Sequence, residues 1–157
     1  MKKIGVFCDV SNLYYCVSHR FEGRKLDYRK YLAFIQDLGD IQYAYAYGSQ
    51  MKGQAHAFVA ALKGAGFIPK FKSPKEIQGK VYKRKADWDV GIAIDMIKGM
   101  TDLDTMILGS ADSDMAPAVE YVREQNVKVI VFACGVSREL HDLCDVLEIP
   151  ESLLENR

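Results

Sequence analysis

Apolar residues follow two alternating patterns along the chain. Short runs rich in β-branched and aromatic residues recur at IGVFCDV (4–10), IQYAYAYG (41–48), GFIPKFK (66–72), TMILGS (105–110) and VKVIVFAC (127–134). Between them, apolar residues return with helical spacing over roughly 27–38, 53–65, 88–100, 114–126 and 137–147. Strands that alternate with helices predict βαβ units. A run such as VIVFA has no polar face, so it suits a strand covered on both sides in a parallel sheet. The expected fold class is α/β: a three-layer, Rossmann-like sandwich around a mostly parallel five-stranded sheet. Right-handed crossovers give that sheet the strand order 3-2-1-4-5. The length of 157 residues suits a single domain over 1–157, and no repeat, low-complexity tract or linker divides it. The one long irregular stretch is SPKEIQGKVYKRKAD (73–87), and a connection of that length in a compact domain is often functional.

In that order the first and fourth strands are neighbours. Their carboxyl ends border the topological switch point, where ligands bind in open α/β sheets. The first strand ends in Cys8-Asp9-Val10 and the fourth in Gly109-Ser110-Ala111-Asp112. A carboxylate ending a buried strand is costly unless it is paired, capping or metal-bound. Asp9 or Ser11 could cap a short helix over LYYCVSH, and Asn12 could cap or orient a ligand or water. Pro117 fits the first turn of a helix that starts near Ser113 or Asp114, where acids complement the dipole. Capping does not require both Asp112 and Asp114, nor does it explain Asp9 at the same crevice.

A third acidic group lies in KRKADWDVGIAIDM (83–96). Asp87 reads as the helix N-cap and Asp89 as a first-turn residue, with Asp95 about 120° around the helix from Asp89. A crossover helix normally begins at the carboxyl end of the preceding strand, which brings Asp89 toward the same crevice. Converging carboxylates cannot all stay ionised without a cation. Their hard oxygens suit Mg²⁺ or Mn²⁺, ions that activate water for phosphodiester cleavage. His19, His56 and His141 are scattered, and the cysteine spacing gives no zinc motif.

These residues resemble a known family. Asp9-Val10-Ser11-Asn12, the segment Lys85-Ala86-Asp87-Trp88-Asp89-Val90 with Asp95, and Gly109-Ser110-Ala111-Asp112-Ser113-Asp114 are similar to the NYN domain, the LabA-like branch of the PIN-like nuclease superfamily. Their order and spacing match over nearly the whole chain. The Ser137, Leu140, Cys144-Asp145 segment resembles the family's last helix. Two positions depart from the frequent Gly-Asp-Ser-Asp-Phe pattern: Ala111 and Met115 stand for the Gly and the Phe. The resemblance implies a PIN-like sandwich and metal-dependent endoribonuclease chemistry. It makes Asp9, Asp89, Asp112 and Asp114 the metal-binding and catalytic acids. It gives Asn12 the task of positioning substrate or water, and sets Ser110 among the substrate-binding residues. Asp95 and Asp145 match family acids to which no role is assigned.

Composition changes this picture in one place. Apolar residues make up 49% of the chain, enough for a sizeable core, and 21 basic residues balance 21 acidic ones. Net charge therefore does not announce a nucleic-acid partner, but its distribution does. Residues 70–85 hold Lys70, Lys72, Lys75, Lys80, Lys83, Arg84 and Lys85 against Glu76 alone, a net +6. A solvated loop is the plain account of such a run. It leads, however, straight into Asp89, and Phe71 and Tyr82 are interleaved as stacking platforms for single-stranded bases. Lys80, Lys83, Arg84 and Lys85 are thus candidates to grip an RNA backbone, with strong salt dependence. Tyr43, Tyr45 and Tyr47 alternate at strand period and read as one face packed under a helix. Tyr14 and Tyr15 are either core or walls of the crevice. Gly48-Ser49-Gln50 ends the second strand near it, and Gly64 and Gly66 mark a helix end and turn.

The four cysteines form no C-x-x-C pair and read as buried free thiols, which fits a reducing cytoplasm. MKKIGVFCDV is too short for a signal peptide and no apolar stretch approaches a membrane span, so no membrane partner is expected. The leading expectation is a Mg²⁺/Mn²⁺-dependent endoribonuclease, with self-association into a homo-oligomer left open. The alternative is a non-catalytic RNA-binding or regulatory module of the same fold. A small-molecule phosphohydrolase ranks last, because position 11 is Ser where a haloacid-dehalogenase-like enzyme carries a second Asp.

Overall fold

The computed structural model describes residues 1–49, 55–72, 76–77, 80–81 and 88–157. The first half runs β1 (Lys3–Asp9), α1 (Val10–Arg20), α2 (Tyr28–Gln36), β2 (Asp40–Ser49), α3 (Ala55–Ala65) and β3 (Ile68–Lys72). A two-residue-per-strand hairpin follows, β4 (Glu76–Ile77) with β5 (Lys80–Val81). The second half runs α4 (Asp89–Gly99), β6 (Thr105–Gly109), α5 (Ala116–Glu124), β7 (Lys128–Ala133), α6 (Arg138–Leu143) and β8 (Asp145–Glu148).

The five expected strands pair in parallel in the expected order, and β8 extends the sheet to six: β3-β2-β1-β6-β7-β8. The continuous apolar runs are the buried strands. Ile4–Cys8 of β1, all of β6 and Val129–Ala133 of β7 are covered on both faces. The helix expected over 137–147 is where the chain departs from expectation. It stops at Leu143, Cys144 turns extended (φ −156°, ψ 174°), and β8 pairs with Ile130–Ala133. Leu140, Leu143 and Val146 fit helical spacing, yet a helix there would leave the edge of β7 unpaired. Pairing that edge outweighs local periodicity.

Alternation along β1 separates the two faces. Cys8 faces α1 and α2, where the Tyr31 hydroxyl donates to the Phe132 carbonyl at 2.9 Å and the two rings stack at 4.5 Å. Phe7 faces the other way, edge-on to Tyr43 and Tyr45. There Gly99 of α4 lets the helix approach, since a Cβ would sit 2.6 Å from the Tyr43 hydroxyl. The tyrosine stripe is therefore a strand face under a helix, as its period predicts. All four cysteines are free thiols, Cys8 and Cys134 buried. Among the described residues, no helix is long and apolar enough to cross a membrane.

Two outcomes follow from the packing at Cys8 and Gly109. A Cβ at Gly109 would meet Cys8 Sγ at 2.9 Å, Tyr31 Oη at 3.0 Å and Leu13 Cδ1 at 3.1 Å. Gly109→Ala should lower stability by about 1–3 kcal/mol, read as a lower urea midpoint at unchanged slope. Burial also pushes the Cys8 thiol up from 9.0 to about 12 and holds the Tyr31 phenol well above 10.0. Both groups stay protonated in the folded chain while the unfolded chain ionises. The stability these two groups contribute should thus be fully present below pH 9.0 and be lost as pH rises from there through about 12. Urea titrations at about pH 8 and about pH 10.5 measure the loss, and Cys8→Ala should make it smaller.

Candidate metal centre

Three separate chain segments meet at the carboxyl ends of β1, β2 and β6. At the β1 exit, α1 starts at once and Asp9 is its N-cap, its Oδ1 accepting from the Asn12 amide at 3.2 Å. At the β6 exit, Ser110 is fully buried and its Oγ accepts from the Asp112 amide at 3.2 Å. Asp112 caps the short 3₁₀ turn Ser113–Met115, its Oδ1 accepting from the Asp114 amide at 2.9 Å. Pro117 follows in the first turn of α5. The two exits are tied directly, because Asn12 Oδ1 accepts from the Ala111 amide at 2.8 Å.

The third segment is the start of α4. Its N-cap position is Trp88, which makes no side-chain cap, and not Asp87, which lies outside the described residues. The Trp88 indole N–H instead donates to the Gly48 carbonyl at 2.8 Å, and the ring packs 5.2 Å from Tyr47. Gly91 makes room for it, since a Cβ there would sit 2.7 Å from the ring's Cε3. Trp88 thereby pins the first turn of α4 to the end of β2 and fixes the position of Asp89.

The outcome is a cluster. One carboxylate oxygen from each of Asp89, Asp112 and Asp114 lies within 4.8 Å of the others. Asp89 and Asp112 are half-buried and Asp114 is exposed, so the cluster opens to solvent on the Asp114 side. In an octahedral Mg²⁺ or Mn²⁺ shell, metal–oxygen bonds of about 2.1 Å put ligand oxygens about 3 to 4.2 Å apart. Three hard oxygens within 4.8 Å of one another are close to that spacing, so the donor set fits a divalent cation. Asp9 stands at the neighbouring strand exit but outside that mutual distance.

Other expected residues lie elsewhere. Ser110, expected to bind substrate, is buried and shapes the turn that carries Asp112. Asn12 spends its carbonyl oxygen on Ala111, so its shown role is to join the two exits. Asp95 faces β2 and β3, where its Oδ2 accepts from the Tyr47 hydroxyl and pairs with Lys70, both at 2.8 Å. Burial first, and then Asp95, drive the Tyr47 phenol well above its usual range. Asp145 is exposed at the amino end of β8, paired with Lys128 at 3.4 Å, and belongs to the opposite edge of the sheet. Tyr14 and Tyr15 are both exposed and touch edge to face at 5.6 Å, which excludes the core reading. Only the backbone of Lys80 is described, within β5, and Lys83, Arg84 and Lys85 lie outside the described residues, as do Tyr82 and Gln50. The sequence places Trp88 in a motif and Lys70 and Lys72 in the basic run, without showing what any of the three holds. The signal available was the chain's single Trp, set between two acids with Gly three residues on.

Asn12→Ala would leave the Ala111 amide without its partner. It should lower stability by about 1–2 kcal/mol in urea titrations, with no change in helix content by circular dichroism.

The NYN domain family model matches residues 3–150. The chain is 26% identical to the low amplitude and bright protein LabA of Synechococcus elongatus, over 91% of this chain and 81% of that protein. Among solved structures it is similar to protein VPA0982 of Vibrio parahaemolyticus, described as of unknown function. That match has a TM-score of 0.85 and 29% identity, and covers 98% of this chain and 96% of the other.

Proposed function

The chain belongs to the NYN domain family, and from that premise we propose that it is a Mg²⁺- or Mn²⁺-dependent endoribonuclease. The observation that carries this reading is the convergence of Asp89, Asp112 and Asp114 from two separate segments on one point at the switch crevice. Acids gathered that closely repel one another and would also repel a phosphodiester, and a bound cation removes both penalties. In this proposal the three aspartates hold the cation, and Asp9 adds its charge at the adjoining exit. The divalent ion would supply Lewis-acid polarisation of the scissile phosphate and activation of the attacking water.

The chain's own contribution is positioning. Asn12 and Ser110 hold the Ala111-Asp112 turn, so Asp112 keeps its place when substrate arrives. Trp88 does the same for Asp89. The exposed side at Asp114 is the approach for the phosphodiester, and Lys80, Lys83, Arg84 and Lys85 are assigned to grip the RNA backbone on its way in.

A second reading has its own support. Asp9 and Asp112 each accept a backbone N–H as caps, so both have a structural use without any metal. On that reading the chain is a non-catalytic RNA-binding or regulatory module, whose RNA binding is salt-sensitive and indifferent to chelator.

Incubation with single-stranded and structured RNA separates the two. The nuclease reading expects cleavage with Mn²⁺, none with EDTA, and a loss of at least about 100-fold in Asp112→Asn. Cleavage by Asp112→Asn equal to the parent contradicts the mechanism.

A further inference from the structure

Two lysines on β3 have different fates. Lys70 and Lys72 are two residues apart and so lie on the same side of the strand. Lys70 is neutralised: its ammonium pairs with Asp95 at 2.8 Å and lies 4.1 Å from the Tyr45 ring centroid. Lys72 is exposed, and among the described residues it has no carboxylate partner. Its ammonium rests 4.0 Å from the Trp88 ring centroid. That ring is itself fixed, by its bond to the Gly48 carbonyl, by Tyr47 and by the space left at Gly91. A cation on an indole face keeps its outer hydrogens for an anion, and the ring limits the positions it samples. Trp88 is also the residue immediately before Asp89. An ammonium with no carboxylate partner among the described residues is therefore held on a rigid platform beside the acidic cluster, at the ends of β2 and β3.

We propose that Lys72, seated on Trp88, is a phosphate-binding subsite for the single-stranded RNA that flanks the cleaved bond. This rests on the nuclease reading and adds to it a direction: the strand leaves the aspartates over Trp88 toward the carboxyl ends of β2 and β3. Lys72 makes the phosphate contact, and Trp88 is its positioning residue. No base edge is read there, so the contact is indifferent to sequence.

Trp88 is the only Trp in the chain, so its emission reports this ledge alone. The experiment titrates oligouridylate and oligoadenylate into protein carrying Asp112→Asn, which keeps the RNA intact, at several salt concentrations. Trp88 emission and the anisotropy of a labelled oligonucleotide are read in parallel. The expected result is that RNA shifts the emission and that Lys72→Gln weakens binding about fivefold for both sequences. The slope of log affinity against log salt should shrink by about 0.7. Lys98→Gln, at the far end of α4, should leave the slope unchanged.

An unchanged slope in Lys72→Gln, an equal fall in Lys98→Gln, or binding seen by anisotropy with Trp88 emission unmoved overturns the subsite and leaves the nuclease reading standing. Cleavage by the parent in the preceding assay reports on that reading separately. Absence of RNA binding by either probe overturns the subsite together with the RNA specificity.

Discussion

Cys8 on β1 pairs with Gly109 on β6, and the acidic edge depends on that pairing. It sets side by side the exits of two strands that lie about a hundred residues apart in the chain. Close approach there requires Gly109, whose missing side chain makes room for Cys8, Leu13 and Tyr31. Once the strands are adjacent, Asn12 can reach the Ala111 amide, and the turn after β6 takes one conformation. Ser110 and Asp112 then satisfy that turn's amides, which leaves the Asp112 and Asp114 carboxylates directed at one region. Capping and clustering are thus not competing accounts of Asp112. The cap is what aims it.

Asp89 reaches the same region by a different route. It is carried by α4, which is clamped to the far side of the sheet at two heights. Trp88 holds its first turn to Gly48, and Asp95, about two turns later, is tied to Tyr47 and Lys70. Like charges brought within a few ångströms push apart. Here bonds on the outer flanks, from Trp88 to Gly48 and from Asp95 to Tyr47 and Lys70, help to resist that force. The same clamp consumes the charge of Lys70 and leaves that of Lys72 facing out.

The sheet was legible because its central strands are apolar on both faces, as in VIVFA, and because crossovers have one hand. Strand β8 was not, because its residues continue the helical spacing of Leu140 and Leu143 and only the open edge of β7 makes them a strand. The acids at the strand exits were visible through topology, and the family resemblance assigned them together. Partnerships across elements were not visible. Nothing local to Asp95 announces Lys70 and Tyr47, and nothing local to Ser110 announces its burial. Nothing local to Trp88 announces what it holds, since its partner Gly48 lies forty residues away.

The central claim is that Asp89, Asp112 and Asp114 form one cation site. Calorimetric titration of Mn²⁺ into the parent and into Asp89→Asn, Asp112→Asn and Asp114→Asn tests it without any substrate. The account predicts saturable binding by the parent and at least about a tenfold loss of affinity in each variant, with thermal unfolding still cooperative. Equal Mn²⁺ affinity in the parent and all three variants, or no binding by the parent, would contradict it.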